Sequence, residues 1–499
     1  MRKTISILVI LLVPFFGKSQ NIDKDSALTD FDEFVELLQT QSSYFQVSDY
    51  DFENHYQIVK ERISNQDSVP IHFLAHEIGK VIAETVDRHA SVKVEDLDED
   101  NIEILNLHFP FSIAPLNGKA VALIRNKSSK KYEYYSIEYP YIKKINGIPI
   151  VDFIKQYSYK RKKSPKEVML YDGIKDLRDI GELFFKQNVL SIKKIDITLT
   201  NGVSDKTITL DLSSDKNRWS NIGHTTDSEL INAIYFDKAF DYNKLDEWKE
   251  DSIAYFQIPS MFSYAEFIGL EKYLRSTINK YRDAKAIIMD LRGNGGGTRD
   301  ILNTLAEYIV LPDQSPWVAN VAYIRNDQQL DEDIESMSSR YLYSYYSERI
   351  TEIDRKAIDE FENNYKSEIS FDSSKFSKPF YMILKSNGTP LKSPVYVLVD
   401  ERSFSAASVF TSAFKGLSNV KIVGVTTNGS SGRSMSFNLK NSNIKVKLST
   451  MLSFQRNGKT LDGNGTQPDL EIERDDLHIL GTRDSQLYDL IKWIKENWA

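Results

Sequence analysis

The chain has 499 residues, 41% hydrophobic and 27% charged, with a formal net charge of -8 and no cysteine. Without cysteine, disulfides, thiolate catalysis and cysteine-ligated metals are excluded. The mildly acidic balance carries no basic block suited to nucleic acid.

The first residues read as a leader. Met1-Arg2-Lys3 is a short basic start, Ile5 to Phe16 is almost wholly apolar, and Gly17-Lys18-Ser19 supplies small residues for cleavage before Gln20. The apolar run is too short to span a bilayer of roughly 30 Å, so a signal peptide over 1–19 is expected rather than an anchor. No cysteine follows it to carry a lipid. Export to the periplasm or outside the cell is therefore expected, with no membrane segment in the mature chain. Loss of Arg2, Lys3 and Lys18 with the leader moves the formal charge from -8 to -11. What remains suggests two or three domains at roughly 150 residues each.

Residues 20–100 read as a helical unit. Thr29 is placed to cap a helix whose apolar face is Phe31, Phe34, Val35, Leu37 and Leu38. A second helix is expected from near Pro70, with Phe73, Leu74, Ile78, Val81 and Ile82 at helical spacing, ending at Asp87-Arg88-His89. His72, His76 and Glu77 lie in this stretch. A His-Glu-x-x-His zinc site would need histidine where Lys80 stands, so packing or surface histidines are expected and no metal.

Residues 101–215 read as strands, including Ala120 to Ile124, Tyr132 to Ile137 and Ile195 to Leu199. Ile142 to Ile150 is a strand, an Asn146-Gly147 turn and a second strand, with a helix starting at Val151. This Ile-Asn-Gly-Ile-Pro-Ile stretch resembles the strand-turn-strand of a PDZ domain, without a recognisable carboxylate loop, and implies a degenerate PDZ-like module.

Residues 216–499 alternate strand and helix from about residue 250, as an α/β domain with crossover units does. Expected strands are Ala286 to Leu291, Val395 to Val399 and Val420 to Val425; expected helices are Thr298 to Val310 and Ser405 to Lys415. A Tyr-rich insertion, 312–390, carries Tyr341, Tyr343, Tyr345 and Tyr346. It reads as helices packing their aromatics in preference to a lid over a site.

Three stretches carry chemistry. Asp290-Leu291-Arg292-Gly293-Asn294-Gly295-Gly296-Gly297 follows a strand and precedes a helix, and its glycines leave N–H groups uncovered for a developing anion. It lacks both phosphate-loop patterns, since position 298 is Thr and no Gly-Lys-Ser/Thr follows. Ser403-Phe404-Ser405-Ala406-Ala407-Ser408 puts a serine at a helix N-terminus, where an oxyanion is favoured; alone it reads as an N-cap. The Gly-x-Ser-x-Gly elbow is absent. Asp462-Gly463-Asn464-Gly465-Thr466-Gln467-Pro468-Asp469 reads alone as an acidic turn.

In this order, with Val423-Gly424-Val425-Thr426-Thr427 between the last two, the stretches resemble the C-terminal-processing (tail-specific) and tricorn-type serine peptidases. That family shows Asp-Leu-Arg-x-Asn-x-Gly-Gly, Ser-Ala-x-Ser/Glu, Val-Gly-x-x-Thr and Gly-Val-x-Pro-Asp. The resemblance covers most of the mature chain and implies a crotonase-like ββα spiral core, preceded by the helical segment and the PDZ-like β-rich domain. Its Ser/Lys branch would place a lysine near position 430, where Ser430 stands. Arg433 cannot replace it, because a guanidinium stays protonated. The tricorn-like branch fits better. Asp87-Arg88-His89-Ala90-Ser91 resembles its Asp-x-His-Thr/Ser motif, and Asp462 stands where it has a glutamate.

The resemblance thus implies Ser405 as nucleophile, His89 as general base and acid, and Asp462 as the supporting acid. Gly295 or Gly296 together with Ala406 would supply the oxyanion amides. This chain departs from the pattern at Ser408, Ala90 and the shorter Asp462. No cofactor is implied, and the partner is a peptide or unfolded protein. The alternative is a non-catalytic protein on the same scaffold that binds peptides or apolar ligands, and an esterase with the same triad is a third reading.

Overall fold

A computed structural model describes residues 21–94, 102–158, 162–221, 241–325 and 333–497. The expected leader and the expected boundary at residues 100 and 101 lie outside them. No helix among the described residues is long and apolar enough to cross a membrane.

Three helices, Lys24–Gln41, Phe52–Ser64 and Ile71–Ile82, share a core of Phe31, Phe34, Leu38, Val59, Ile63, Leu74 and Ile78. The first is capped by Asp23, which accepts from the Ser26 N–H at 2.9 Å. This corrects the start expected at Thr29, which lies inside the helix and donates its hydroxyl to the Asp25 carbonyl at 2.8 Å. The middle helix was not expected, although Phe52, Tyr56, Val59 and Ile63 recur at helical spacing and all are buried. The third begins after Pro70, as read. Beyond it the strand Ser91–Lys93 pairs antiparallel with Lys445–Ser449. That pairing ties the segment carrying His89 to the C-terminal half of the chain.

Residues 112–211 build a seven-stranded antiparallel sheet, ordered along its main path Asp205–Asp211, Lys194–Thr200, Tyr141–Ile145, Lys119–Arg125, Ser112–Leu116. Asn146 and Gly147 turn with φ of 48° and 77°, the positive pair that a type I′ hairpin needs. Helices Ile150–Tyr157, Lys166–Leu177 and Ile180–Lys186 pack on the sheet through Phe153, Ile154, Ile174 and Leu177.

The remaining chain is mixed α/β. A six-stranded sheet runs Asp246–Trp248, Ile253–Gln257, Ala286–Asp290, Val395–Val399, Val420–Gly424, Leu470–Glu471, parallel after its first pair. Alternate residues serve opposite faces. Ile287, Met289, Val395 and Val397 meet helices Leu270–Lys280, Asp300–Ile309 and Ala406–Phe414. Ile288, Tyr396 and Leu398 meet Leu490 and Ile494 of the last helix, Ser485–Glu496.

The 312–390 segment is not the helical insertion expected. Its ends are strands, Trp317–Ile324 and Phe380–Leu384, which pair with each other, and Trp317–Ile324 also pairs with Met451–Gln455. Trp317–Ile324 reads as strand because both faces are buried: Ala319 and Ala322 face the main core, Val318 and Val321 a second cluster. The helix Glu352–Glu362 packs against that second cluster, through Ile358 and Phe361. Tyr343 and Tyr345 pack there too, and Tyr341 donates to Asp300 at 2.8 Å, whereas Tyr346 is 72% exposed.

Candidate active site

Ser405 follows the buried strand Val395–Val399 and opens the buried helix Ala406–Phe414. Its backbone has φ 54° and ψ -122°, a conformation a non-glycine residue adopts at a cost of about 1–3 kcal/mol. The surrounding loop compels it. Asp400 Oδ1 accepts from the amides of Gly293 and Arg402 at 2.9 and 3.0 Å. Ser403 Oγ donates to the Leu291 carbonyl at 2.9 Å, and the Phe404 amide donates to the Asn294 carbonyl at 2.9 Å. The turn before Ser405 is thus stitched to the glycine-rich loop.

That loop is held from the other side by Asn294, whose Nδ2 donates to the Ile258 carbonyl at 2.7 Å and whose Oδ1 accepts from the Gly296 amide at 2.8 Å. The Gly296 amide is therefore already engaged, which corrects its expected place as a free donor. Gly296 instead serves by having no side chain: a Cβ there would lie 2.6 Å from Cβ of Ser405. Gly295 is exposed, and among the described residues neither its amide nor that of Ala406 donates a hydrogen bond.

His89, 316 positions away in the sequence, places Nε2 at 3.3 Å from Ser405 Oγ. Its ring packs on Phe404 with centroids 4.9 Å apart. Asp87 shapes the approach: its Oδ1 accepts from the amides of His89 and Ala90, both at 3.0 Å, and its carboxylate also binds the Ser449 amide and hydroxyl. Burial pushes the Asp87 carboxyl above the usual range.

Asp462 is fully buried, 0% exposed. Its oxygens accept from Tyr44 Oη at 2.7 Å, the Arg88 amide at 2.9 Å and the Ser431 amide at 3.3 Å. None of these bonds reaches the imidazole. Asp462 fixes the residue before His89 and the residue after Ser430. Burial, and then the nearby Asp87, raise its carboxyl to about 7 against the pull of those donors.

The group that meets Nδ1 of His89 is the hydroxyl of buried Ser430, with the Gly432 amide donating to the same nitrogen at 3.2 Å. In sequence Ser430 was only the place where a lysine is missing. Nothing local marks it as a histidine partner, and Tyr44 carried no signal at all. Arg88, named only as the middle of its motif, donates Nη2 to Asn428 at 2.6 Å and to Asp172 at 3.3 Å. The helix Lys166–Leu177 is thereby joined to the loops that carry His89 and Asn428. Glu77 spends its carboxylate on Arg62 and Lys80, and His72 stacks on Phe185 at 4.1 Å.

A strained serine at a helix start, an imidazole on its hydroxyl and uncovered amides beside it define a hydrolase of the serine type. Residues 252–472 match Peptidase family S41. The fold is that of mature CPAF, matched at TM-score 0.63 and 14% identity over 95% of this chain and 99% of that one. A second structure, mature CPAF complexed with lactacystin, gives TM-score 0.62 and 13% identity over 95% and 98%. No curated protein matches significantly in sequence. The matched segment is under half of the chain in length, and the chain is a serine-type peptidase.

Proposed function

We propose that the chain is an exported peptidase that cleaves peptide bonds through an acyl-enzyme on Ser405. The observation that carries this reading is the 3.3 Å approach of His89 Nε2 to the hydroxyl of a strained, half-buried Ser405. Ser405 Oγ attacks the scissile carbonyl carbon while its proton passes to Nε2. The negative oxygen is received by the amides of Gly295 and Ala406. Collapse of the tetrahedral species breaks the C–N bond, and the imidazolium returns the proton to the leaving amine. Water, deprotonated by His89, then hydrolyses the ester.

The tautomer matters. The Gly432 amide can only donate, so beside it the neutral ring carries its proton on Nε2. A hydroxyl can also accept, and Ser430 Oγ receives the proton of Nδ1–H in the tautomer that leaves Nε2 basic. Asp462 holds the two loops that bring Ser430 and His89 together.

The same proposal assigns 1–19 as leader, 20–100 as the helical unit carrying His89, 101–215 as a degenerate PDZ-like module and 216–499 as the crotonase-like catalytic core. The module receives an extended peptide by strand addition, and the substrate is an unfolded protein or peptide. The test is casein cleavage by the purified mature chain beside Ser405→Ala and His89→Ala. Cleavage by the wild type alone, with both variants folded, is the expected result. An inert wild type that still binds peptide would overturn it in favour of a binding protein.

A further inference from the structure

Two buried guanidinium groups of this chain have carboxylate partners. Arg292 lies between Asp290 and Asp484, and Arg474 against Glu401. Arg299, Arg340 and Arg433 do not. Arg299 is 4% exposed and donates Nη1 to the Arg340 carbonyl at 2.9 Å. Arg340 donates to the Ser336 carbonyl. Arg433 donates Nε to Ser336 Oγ at 2.9 Å and Nη1 to Thr450 Oγ1 at 2.8 Å. All these partners are neutral, and among the described residues none of the three forms an ion pair. Two acids close by in sequence are spent elsewhere: Asp300 on Tyr341 Oη and the Tyr264 amide, Asp333 on Ser344 and Ser347.

Three cations gathered without an anion repel one another and lose hydration, which a folded protein normally avoids. Burial and the neighbouring Arg340 hold Arg299 down to about 9, and burial with Arg433 also lowers Arg340. The arrangement is nevertheless fixed. Arg340 precedes Tyr341, whose hydroxyl binds Asp300, and Arg340 and Arg433 meet on the single residue Ser336.

The position gives the cluster its meaning. Arg433 follows Gly432, whose amide contacts His89, and Arg299 lies two residues past the glycine loop that packs on Ser405. The cations are thus carried by the two loops that hold the reacting pair, bridged by Ser336 to Arg340. We infer that Arg340 and Arg433, backed by Arg299, receive a carboxylate of the substrate beside the scissile bond. This rests on the peptidase reading above. A planar fork of N–H donors suits a carboxylate, and the supply of one from the substrate completes a charge set the protein leaves open.

The carboxylate has two sources, an acidic side chain or the free chain terminus, and paired peptides separate them. One pair differs by Glu against Gln at each position flanking the cut; the other differs by a free against an amidated C-terminus. The wild type is expected to favour the carboxylate member of one pair by about tenfold or more in kcat/KM, the worth of one charge-assisted contact. That ratio should shrink with salt, fall towards one in Arg340→Gln and Arg433→Gln, and be partly kept in Arg433→Lys. The same pairs are titrated against the Ser405→Ala protein by calorimetry, where turnover plays no part. A carboxylate preference in binding supports the site even if no peptide is cleaved. Equal affinity and equal kcat/KM within both pairs, or a ratio untouched by the arginine variants, would overturn it.

Discussion

The hydroxyl of Ser430 lies against Nδ1 of His89, on the side of the ring opposite the Nε2 that meets Ser405. A neutral hydroxyl thus occupies the place where a carboxylate would orient the base. Removing it leaves the Gly432 amide as the remaining hydrogen bond to Nδ1 described above, and that amide favours the tautomer with Nε2 protonated. Ser430→Ala is therefore expected to lower kcat by about 10–100-fold with little change in KM. The pH–rate profile separates this from a packing defect. Its lower limb should move, because the protonation of His89 is what Ser430 governs, and a general loss of structure would scale the profile without moving it.

Gly296 and Gly295 should respond oppositely to alanine. At Gly296 a Cβ would lie 2.6 Å from Cβ of Ser405 and 2.9 Å from the Ala406 nitrogen, on a backbone with φ of 97°. Ser405 must shift, so with Ser405 as the proposed nucleophile Gly296→Ala is expected to lose about a hundredfold or more in kcat. At Gly295 a Cβ meets nothing within 4 Å. Gly295→Ala should keep the melting behaviour of the wild type, within about 0.5 kcal/mol. Thermal melts and turnover on the same preparations check both.

These sites show how far the sequence could be read. The strands and helices that flank Ser405 were legible because each is a buried apolar run ended by a turn, and the Asn146-Gly147 hairpin because its turn chemistry is local. The meeting of His89 with Ser405 was accessible through the order of motifs, since nothing near either residue points across 316 positions. Ser430, Tyr44 and the clustering of Arg299, Arg340 and Arg433 were not legible. Each depends on side chains converging from separate loops. The Tyr-rich segment misled for a related reason: its edge strands are buried on both faces and lack the period-two alternation that marks a half-buried strand.

Asp462 links stability to pH. Its carboxyl titrates at about 7 in the folded protein, against about 3.9 in an unfolded chain. Between those values the folded state holds a proton that the unfolded state has released. Its contribution is fully present below about 3.9 and is lost as pH rises through about 7, at about 1.4 kcal/mol per pKa unit. Urea unfolding at pH 5 and pH 8 should therefore show the wild type losing a few kcal/mol more over that interval than Asp462→Asn. An identical change in the two proteins would place the titration elsewhere.

Arg292 binds the glycine-rich loop to the C-terminal helix. Its Nη2 lies 2.7 Å from both Asp290 Oδ2 and Asp484 Oδ2, and its Nη1 is 2.7 Å from Asp484 Oδ1. Asp484 also caps the helix Ser485–Glu496 through the Leu487 amide. Arg292→Ala leaves two carboxylates buried without their cation, a loss expected at about 3–5 kcal/mol. Although burial pulls the other way, Arg292 holds the Asp484 carboxyl at about 2. A depressed carboxyl stabilises the fold above its unfolded value of about 3.9, and the benefit is lost as pH falls through about 2. In Arg292→Ala that attraction is gone, so the acid-unfolding midpoint should move upward. Tryptophan fluorescence during acid titration measures it, with Trp493 on the same helix as a reporter. Equal midpoints in wild type and variant would show that the pair does not hold the helix.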